Sequence, residues 1–191
     1  DKNLLFSVIL YPQSVTAEEQ FLISMTSSLA LCDLLDNHCG NVSIKWPNDI
    51  LAGNDKIAGI LIESSIIGSL MESCVAGIGL NLNQEKFRDY SPGAVSLHMI
   101  TGKNYDRRGM LIELLSYFDS RYKDLLYGDR SKIRQNYISR LYRHMEWTRF
   151  SSGGIVFEGR TTDVSLSGQI IIEEKNGKQR EFAFREFRYL F

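Results

Sequence analysis

The sequence predicts an α+β protein: a sheet flanked by helices, followed by a small all-β unit. Three observations carry this. Segments with period-two alternation open the chain and recur between residues 42 and 80. Helical periodicity occupies a stretch after residue 15 and most of residues 107–141. From residue 147 onward only short alternating segments remain, separated by Gly153-Gly154, Ser167-Gly168 and Asn176-Gly177, which reads as a small β-barrel. The 191 residues and ordinary apolar content (43%) suit one domain with an appendage.

Asn3 to Tyr11 reads as a strand stopped at Pro12. A chain that opens directly in a core strand predicts missing preceding sequence. The next helix starts at a capping box, Thr16 with Glu19, whose side chains satisfy free amides of the first turn. Phe21, Met25, Leu29, Cys32 and Leu35 form its expected buried stripe, and Gly40 its stop. Residues 42–46 form a strand. Gly53-Asn54-Asp55 reads as a hairpin turn between 50–52 and 56–63, and strand 71–80 follows a short connection at Gly68. Residues 83–105 read as irregular, broken at Pro92-Gly93 and Thr101-Gly102. Asp106 caps a helix over 107–127, with Leu111, Leu114, Leu115, Phe118, Tyr122 and Leu125 as its stripe. A shorter helix follows Asp129 and aligns Ile133, Tyr137 and Leu141. Asn176-Gly177 is a type I′ hairpin signal.

Composition excludes several function classes. A net charge of −1 offers no electrostatic footprint for nucleic acid or an anionic membrane. No apolar run is long enough to span a bilayer. Cys32, Cys39 and Cys74 are an odd count without CxxC spacing and predict a reduced, cytoplasmic protein. His38, His98 and His144 match no metal-ligand spacing. No Ser-His-Asp, Cys-His or paired-carboxylate pattern stands out.

Lys45-Trp46-Pro47-Asn48-Asp49 is the most informative string. It puts a lysine at the end of an apolar strand, just before a proline-forced turn, and on the face opposite Trp46. A cation held there can meet an anionic ligand; a solvated strand-end lysine is the alternative. Gly77-Ile78-Gly79 closes strand 71–80, where absent side chains let a ligand approach backbone, or simply mark a bulge. It is no dinucleotide fingerprint, because the third glycine is missing. Asn81 carries an amide that could read a heterocycle by paired hydrogen bonds or cap a turn. Ala58-Gly59 interrupts a strand of large residues, leaving room for another backbone or a slender apolar ligand.

In this order the segments resemble the biotin–protein ligases. The family's Lys-Trp-Pro-Asn-Asp string is matched by Lys45 to Asp49, and its following Lys-to-Glu strand by Lys56 to Glu63. Its Gly-x-Gly-x-Asn strand end is matched by Gly77 to Asn81, and its Ala-Thr-Ser-Leu-like element by Ala94 to Leu97, with a departure at Val95. The resemblance covers residues 3–140. It implies a mixed sheet flanked by helices, of the class II aminoacyl-tRNA synthetase-like kind, in residues 1–143, and an SH3-like barrel in 144–191. It further implies an ATP-dependent ligase that forms biotinyl-5′-AMP and transfers biotin to a lysine of a biotin carboxyl carrier domain. The implied cofactors are ATP and Mg2+; no DNA or membrane partner is implied, and a homodimer is left open. Lys45 would be catalytic. Lys45, Trp46, Ala58, Gly59, Ile60, Gly77, Ile78 and Gly79 would hold biotin and the adenylate, and Asn81 the nucleotide. The family's upstream Ser-Thr pair and Gly-Arg-Gly loop are absent from this sequence. A lipoate ligase or octanoyltransferase relative, and a non-catalytic carrier-docking module, are the competing readings.

Overall fold

Residues 2–87 and 93–190 are described by a computed structural model. Pro92, one of the expected breakers, lies outside them. The chain forms β1 (Leu4–Leu10), α1 (Phe21–Asp36), β2 (Val42–Lys45), β3 (Asp49–Ala52), β4 (Asp55–Ile67) and β5 (Leu70–Leu80). Then come α2 (Leu97–Thr101), α3 (Arg107–Tyr127) and α4 (Arg130–Ser139). The chain closes with β6 (Thr148–Ser152), β7 (Ile155–Val164), β8 (Ile170–Glu174), β9 (Gln179–Phe182) and β10 (Arg188–Leu190).

The first sheet runs β1-β5-β4-β3-β2. It corrects the expected mixed sheet, because every pairing of its strands is antiparallel. Hairpins join β2 to β3, β3 to β4 and β4 to β5, so neighbours in sequence are neighbours in space. Parallel contacts to this sheet appear as isolated bridges, Ile44 with Leu141 and Lys56 with Ala94. The turn at Gly53-Asn54 sits where the sequence places it, with Gly53 in the left-handed region at φ +63.

Helix α1 departs from its expected stripe. Every residue from Leu22 to Leu35 except Asp33 is buried, because the sheet lies on one side and α3 and α4 on the other. A helix enclosed on all sides needs no polar face. Asp33 is the exception and is gripped by Arg121 of α3 through two hydrogen bonds, 2.6 and 2.9 Å. The predicted capping box forms, with Glu19 accepting from the Thr16 amide and hydroxyl. It caps a 3-10 turn at Ala17–Glu19 that leads into the helix. The helix ends at Asn37 before reaching Gly40, and Asn41 takes the left-handed conformation instead.

Asp106 and Asp129 cap α3 and α4 as read from the sequence, accepting from the amides of Gly109 and Ser131. On α3 the buried positions are Met110, Leu114, Phe118 and Leu125, while Leu115 faces solvent. The stretch expected to be irregular contains α2, capped by Ser96 and stopped at Gly102 in the left-handed region.

The second sheet is antiparallel and runs β10-β6-β7-β8-β9. Its interior is an aromatic stack of Phe150, Phe157, Phe182, Phe187 and Tyr189. The Asn176-Gly177 turn is not type I′. Only Gly177 has a positive φ, and the four residues Lys175–Lys178 separate β8 from β9; a two-residue I′ turn needs both central residues left-handed.

Candidate active site

The string at Lys45–Asp49 divides by task. Its middle residues build the turn. The Trp46 indole N–H donates to the Gly168 carbonyl at 3.0 Å, and its ring stacks on Phe187 with centroids 5.6 Å apart. Asn48 clamps the turn onto β4: its side-chain Nδ2 donates to the Ile60 carbonyl at 2.8 Å and its backbone carbonyl accepts from the Ile60 amide at 2.9 Å. Lys45 and Asp49 pair across β2 and β3 and project from the same face of the sheet.

That face carries the site. Cross-strand pairing places Leu5 opposite Gly79, Gly79 opposite Gly59, Gly59 opposite Asp49, and Asp49 opposite Lys45. One row thus crosses all five strands, from an exposed leucine, over two glycines, to an ion cluster. Gly77 lies in the adjacent row, between Ser7 and Leu61. The glycines leave bare backbone as a floor between the apolar and charged ends. A groove of about 370 Å³ follows this floor, lined by Leu5, Lys56, Gly59, Gly79 and Asn81 among others.

Other expected contacts fall on the reverse face. Ala58, Ile60 and Ile78 are 2, 3 and 0% exposed and belong to the core under α1. Ile60 and Ile78 support the floor from behind, because alternate residues of a strand face opposite ways, whereas Ala58 still lines the groove beside Gly59; of the expected wall of Ala58, Gly59 and Ile60, only Ile60 is turned away from it. Trp46 is turned into the junction with the second sheet, against Phe184 and Phe187. The room at Gly59 also has an occupant. A Cβ there would lie 3.1 Å from Cε and Nζ of Lys56, whose ammonium pairs with the Asp49 carboxylate.

Burial lowers the Lys45 pKa, and the Lys56 charge acts in the same direction; the Asp49 carboxylate opposes both. The Lys45 ammonium also lies 5.9 Å from the centroid of the Tyr189 ring. Asn81 is already committed. Its side-chain nitrogen donates to the carbonyls of Val95 (3.1 Å) and Lys56 (3.4 Å), tying the end of β5 to the start of β4 and to the segment before α2. Paired hydrogen bonding to a base does not fit this arrangement, and only its carbonyl oxygen remains for a ligand.

Leu5 joins the site without having been singled out from sequence, and Asp49 and Lys56, read there only as parts of the motif strings, join it as an ion pair. The signal for them is register, and a bulge hides it. From the hairpin, Ala52 pairs with Asp55 and Leu51 with Lys56, but Ile50 then pairs with Ala58. The extra residue, Ile57, moves Gly59 opposite Asp49; without it Ala58 would stand there. Among the described residues no cluster of three or more His, Cys, Asp or Glu could hold a metal ion. No described helix is long and apolar enough to cross a membrane.

Residues 1–81 match the biotin/lipoate A/B protein ligase family. The chain is 33% identical over 187 residues to a biotin–[acetyl-CoA-carboxylase] ligase from Paracoccus denitrificans, covering 93% of this chain and 76% of that protein. It is 27% identical over 184 residues to the bifunctional ligase/repressor BirA of Bacillus spizizenii, covering 93% of this chain and 55% of the relative. The chain therefore spans about half the length of that relative. A crystal structure of biotin protein ligase from Aquifex aeolicus shares the fold, with a TM-score of 0.82 and 24% identity over 100% of this chain and 84% of that one.

Proposed function

The chain belongs to the biotin–protein ligase family, and from that premise we propose that it activates biotin with ATP and transfers it to a lysine of a biotin carboxyl carrier domain. The row from Leu5 to Lys45 carries this reading. A slender acid with an apolar tail matches a floor of bare backbone that is apolar at one end and cationic at the other.

In the first step a biotin carboxylate oxygen attacks the α-phosphorus of ATP. The bond to the β-phosphate oxygen breaks, leaving biotinyl-5′-AMP and diphosphate. Two anions must meet, and the Lys45 ammonium between them reduces the repulsion and stabilises charge on the phosphoryl oxygens. In the second step the carrier lysine amine attacks the acyl carbon. The bond to the AMP oxygen breaks, AMP leaves and the amine proton passes to solvent.

Gly59, Gly77 and Gly79 are assigned to the floor beneath the adenylate, and the Asn81 carbonyl oxygen to the adenine amino group. Ala58 lines the groove beside Gly59, Ile60 and Ile78 act from behind the floor, and Trp46 as an anchor. The residues present offer no protein cage for Mg2+ among the described residues. Magnesium is therefore assigned to the incoming MgATP, on the nucleotide's own phosphates. Residues 1–143 are assigned as the catalytic domain and 144–191 as an SH3-like barrel, a reading supported by the strand order and aromatic interior of the second sheet. A cytoplasmic location is assigned on the three free, buried cysteines. No DNA or membrane role is assigned.

The test uses the whole gene product with biotin, ATP and an unmodified carrier domain. Biotin-dependent exchange of labelled diphosphate into ATP and a one-biotin mass increase of the carrier are expected. The family also includes lipoate ligases by its description, so specificity is a separate arm. With ATP present, biotin should raise the melting temperature while lipoate and octanoate should not. Exchange supported by lipoate but not by biotin would overturn the assignment.

A further inference from the structure

Ser7 is a polar side chain set among apolar ones on the open face of the first sheet. Cross-strand pairing places it opposite Gly77, and Gly77 opposite Leu61. This row lies beside the one that joins Leu5, Gly79 and Gly59. Its members share the face that carries the site: a Cβ built on Gly77 would lie 3.8 Å from the Ser7 Oγ and 3.8 Å from the Leu61 Cβ. Neighbouring strands lie about 4.8 Å apart, so Ser7 and Leu61 flank about 10 Å of sheet whose middle is bare glycine backbone. That is a slot with room for one small ring.

Among the described residues, the side chains around Ser7 on this face are apolar. Leu5, Ile9 and Leu61 are 87, 61 and 62% exposed. Val75 pairs with Ile9 and shares the face of Gly77 by the alternation of β5. The Ser7 hydroxyl is exposed between them, and no hydrogen bond within the described residues engages it. Glu63 stands one row further on, opposite Val75. A ligand that covers the slot takes the Ser7 hydroxyl out of water. An alkyl or disulfide-ring tail leaves that hydroxyl buried and unpaired, which is costly, whereas a tail with amide-like groups pairs it. Discrimination of this kind is strong, because the penalty falls on the ligand that lacks the polar group.

We propose that Ser7 is a specificity-determining residue that pairs with the ureido group of biotin above Gly77, and so excludes lipoate and octanoate. The inference rests on the ligase reading, and it names how that site selects its acid. The ureido group carries two N–H donors and a carbonyl acceptor, and a hydroxyl can answer either. The dithiolane of lipoate and the methyl end of octanoate offer no comparable partner. The charged end of the floor agrees with this placement. The Lys56 ammonium lies 3.1 Å from a Cβ built on Gly59, and β4 is separated from β1 only by β5. A carboxylate held at the cationic end therefore leaves its tail to reach β1.

The experiment compares acids in diphosphate exchange, using the whole gene product with ATP and each acid in turn. The variants are Ser7→Ala and Ser7→Thr. Ser7→Ala should melt with the wild type, because the hydroxyl is exposed in the folded chain. It should raise the KM for biotin roughly tenfold, leave the KM for ATP unmoved, and let octanoate support exchange that the wild type refuses. Ser7→Thr keeps the hydroxyl, so octanoate should stay excluded. Desthiobiotin keeps the ureido group and lacks the sulfur; calorimetry should show it losing the same factor as biotin in Ser7→Ala. Desthiobiotin binding that ignores the change would give the hydroxyl to the thioether and overturn the ureido assignment. A biotin KM and an acid selectivity both at wild-type values in Ser7→Ala overturn the proposal as a whole. So does a raised biotin KM that comes with a lowered melting temperature and continued exclusion of octanoate, which would make Ser7 structural. A wild-type protein that exchanges with lipoate or octanoate but not with biotin sinks the ligase reading instead, and that failure is seen without any variant.

Discussion

On the helix side of the first sheet, Ala58, Ile60, Ala76 and Ile78 are at most 3% exposed and belong to the core cluster that includes α1. One residue away along the same strands, Gly59, Gly77 and Gly79 present bare backbone on the other face, beside Asp49, Lys56 and Lys45. The inner face is a packing problem, solved by volume. The outer face leaves volume unfilled, and its ion cluster depends on a missing side chain at Gly59. Neighbouring residues of a single sequence motif therefore answer to different selections, and mutations on the two faces should fail in different ways.

The largest expected effect is at the charged end of the row. Lys45→Ala should slow biotin-dependent exchange about 100- to 1000-fold, the loss typical of removing one group that stabilises developing charge. Lys45→Arg should not restore it, since a planar fork cannot stand in for a compact ammonium. Exchange at the wild-type rate in the alanine variant would remove Lys45 from the chemistry. The inner face should respond in stability instead. Ile78→Ala should lose about 2–5 kcal/mol in a urea melt, with the KM values of the surviving folded protein close to wild type.

Gly79→Ala is the sharpest test of the contrast. A Cβ there meets only Leu5 Cδ1, at 3.7 Å, so the fold should hold within about 1 kcal/mol. Exchange should nevertheless fall roughly tenfold, because the methyl occupies the ligand's floor. A variant that melts low but binds ligand normally would erase the difference between the faces.

The smallest effect is a shift in pH dependence on Asp49→Asn. Asp49 helps to hold the Lys45 pKa up against burial and Lys56. Removing it should lower that pKa further, and the alkaline limb of the exchange profile should move to lower pH. The stability sign follows from proton counting. The folded-state pKa lies below the unfolded value, so between the two the unfolded chain holds more protons and stability rises with pH. In the variant that rise should begin at lower pH. An alkaline limb that stays in place would mean another group controls it.

Much of the scaffold was legible from local chemistry. Thr16 with Glu19, Asp106 and Asp129 mark helix starts that the structure contains, because a cap acts on amides within three residues of itself. The Gly53-Asn54 turn is equally local. Less legible was α1, whose burial on all sides depends on α3 and α4 arriving far later in the chain. Trp46 was legible as a residue that shapes the strand end, but not its partner Gly168, which is distant in sequence. Asn81 was legible as an amide at a strand end, but its donors are used by Lys56 and Val95.

By itself the sequence determined the α+β order of elements, the caps and turns, and the strings from Lys45 to Asp49 and from Gly77 to Asn81 that mark the family. These depend on spacings of a few residues, over which backbone geometry is dictated by side-chain type. Only the tertiary structure decided which motif residues share a face. The bulge at Ile57 shifts the register by one residue, and in a strand that shift exchanges inside for outside. It also set Arg185 and Arg188 around the same cavity as Lys45, since that cavity is lined by segments far apart in the chain.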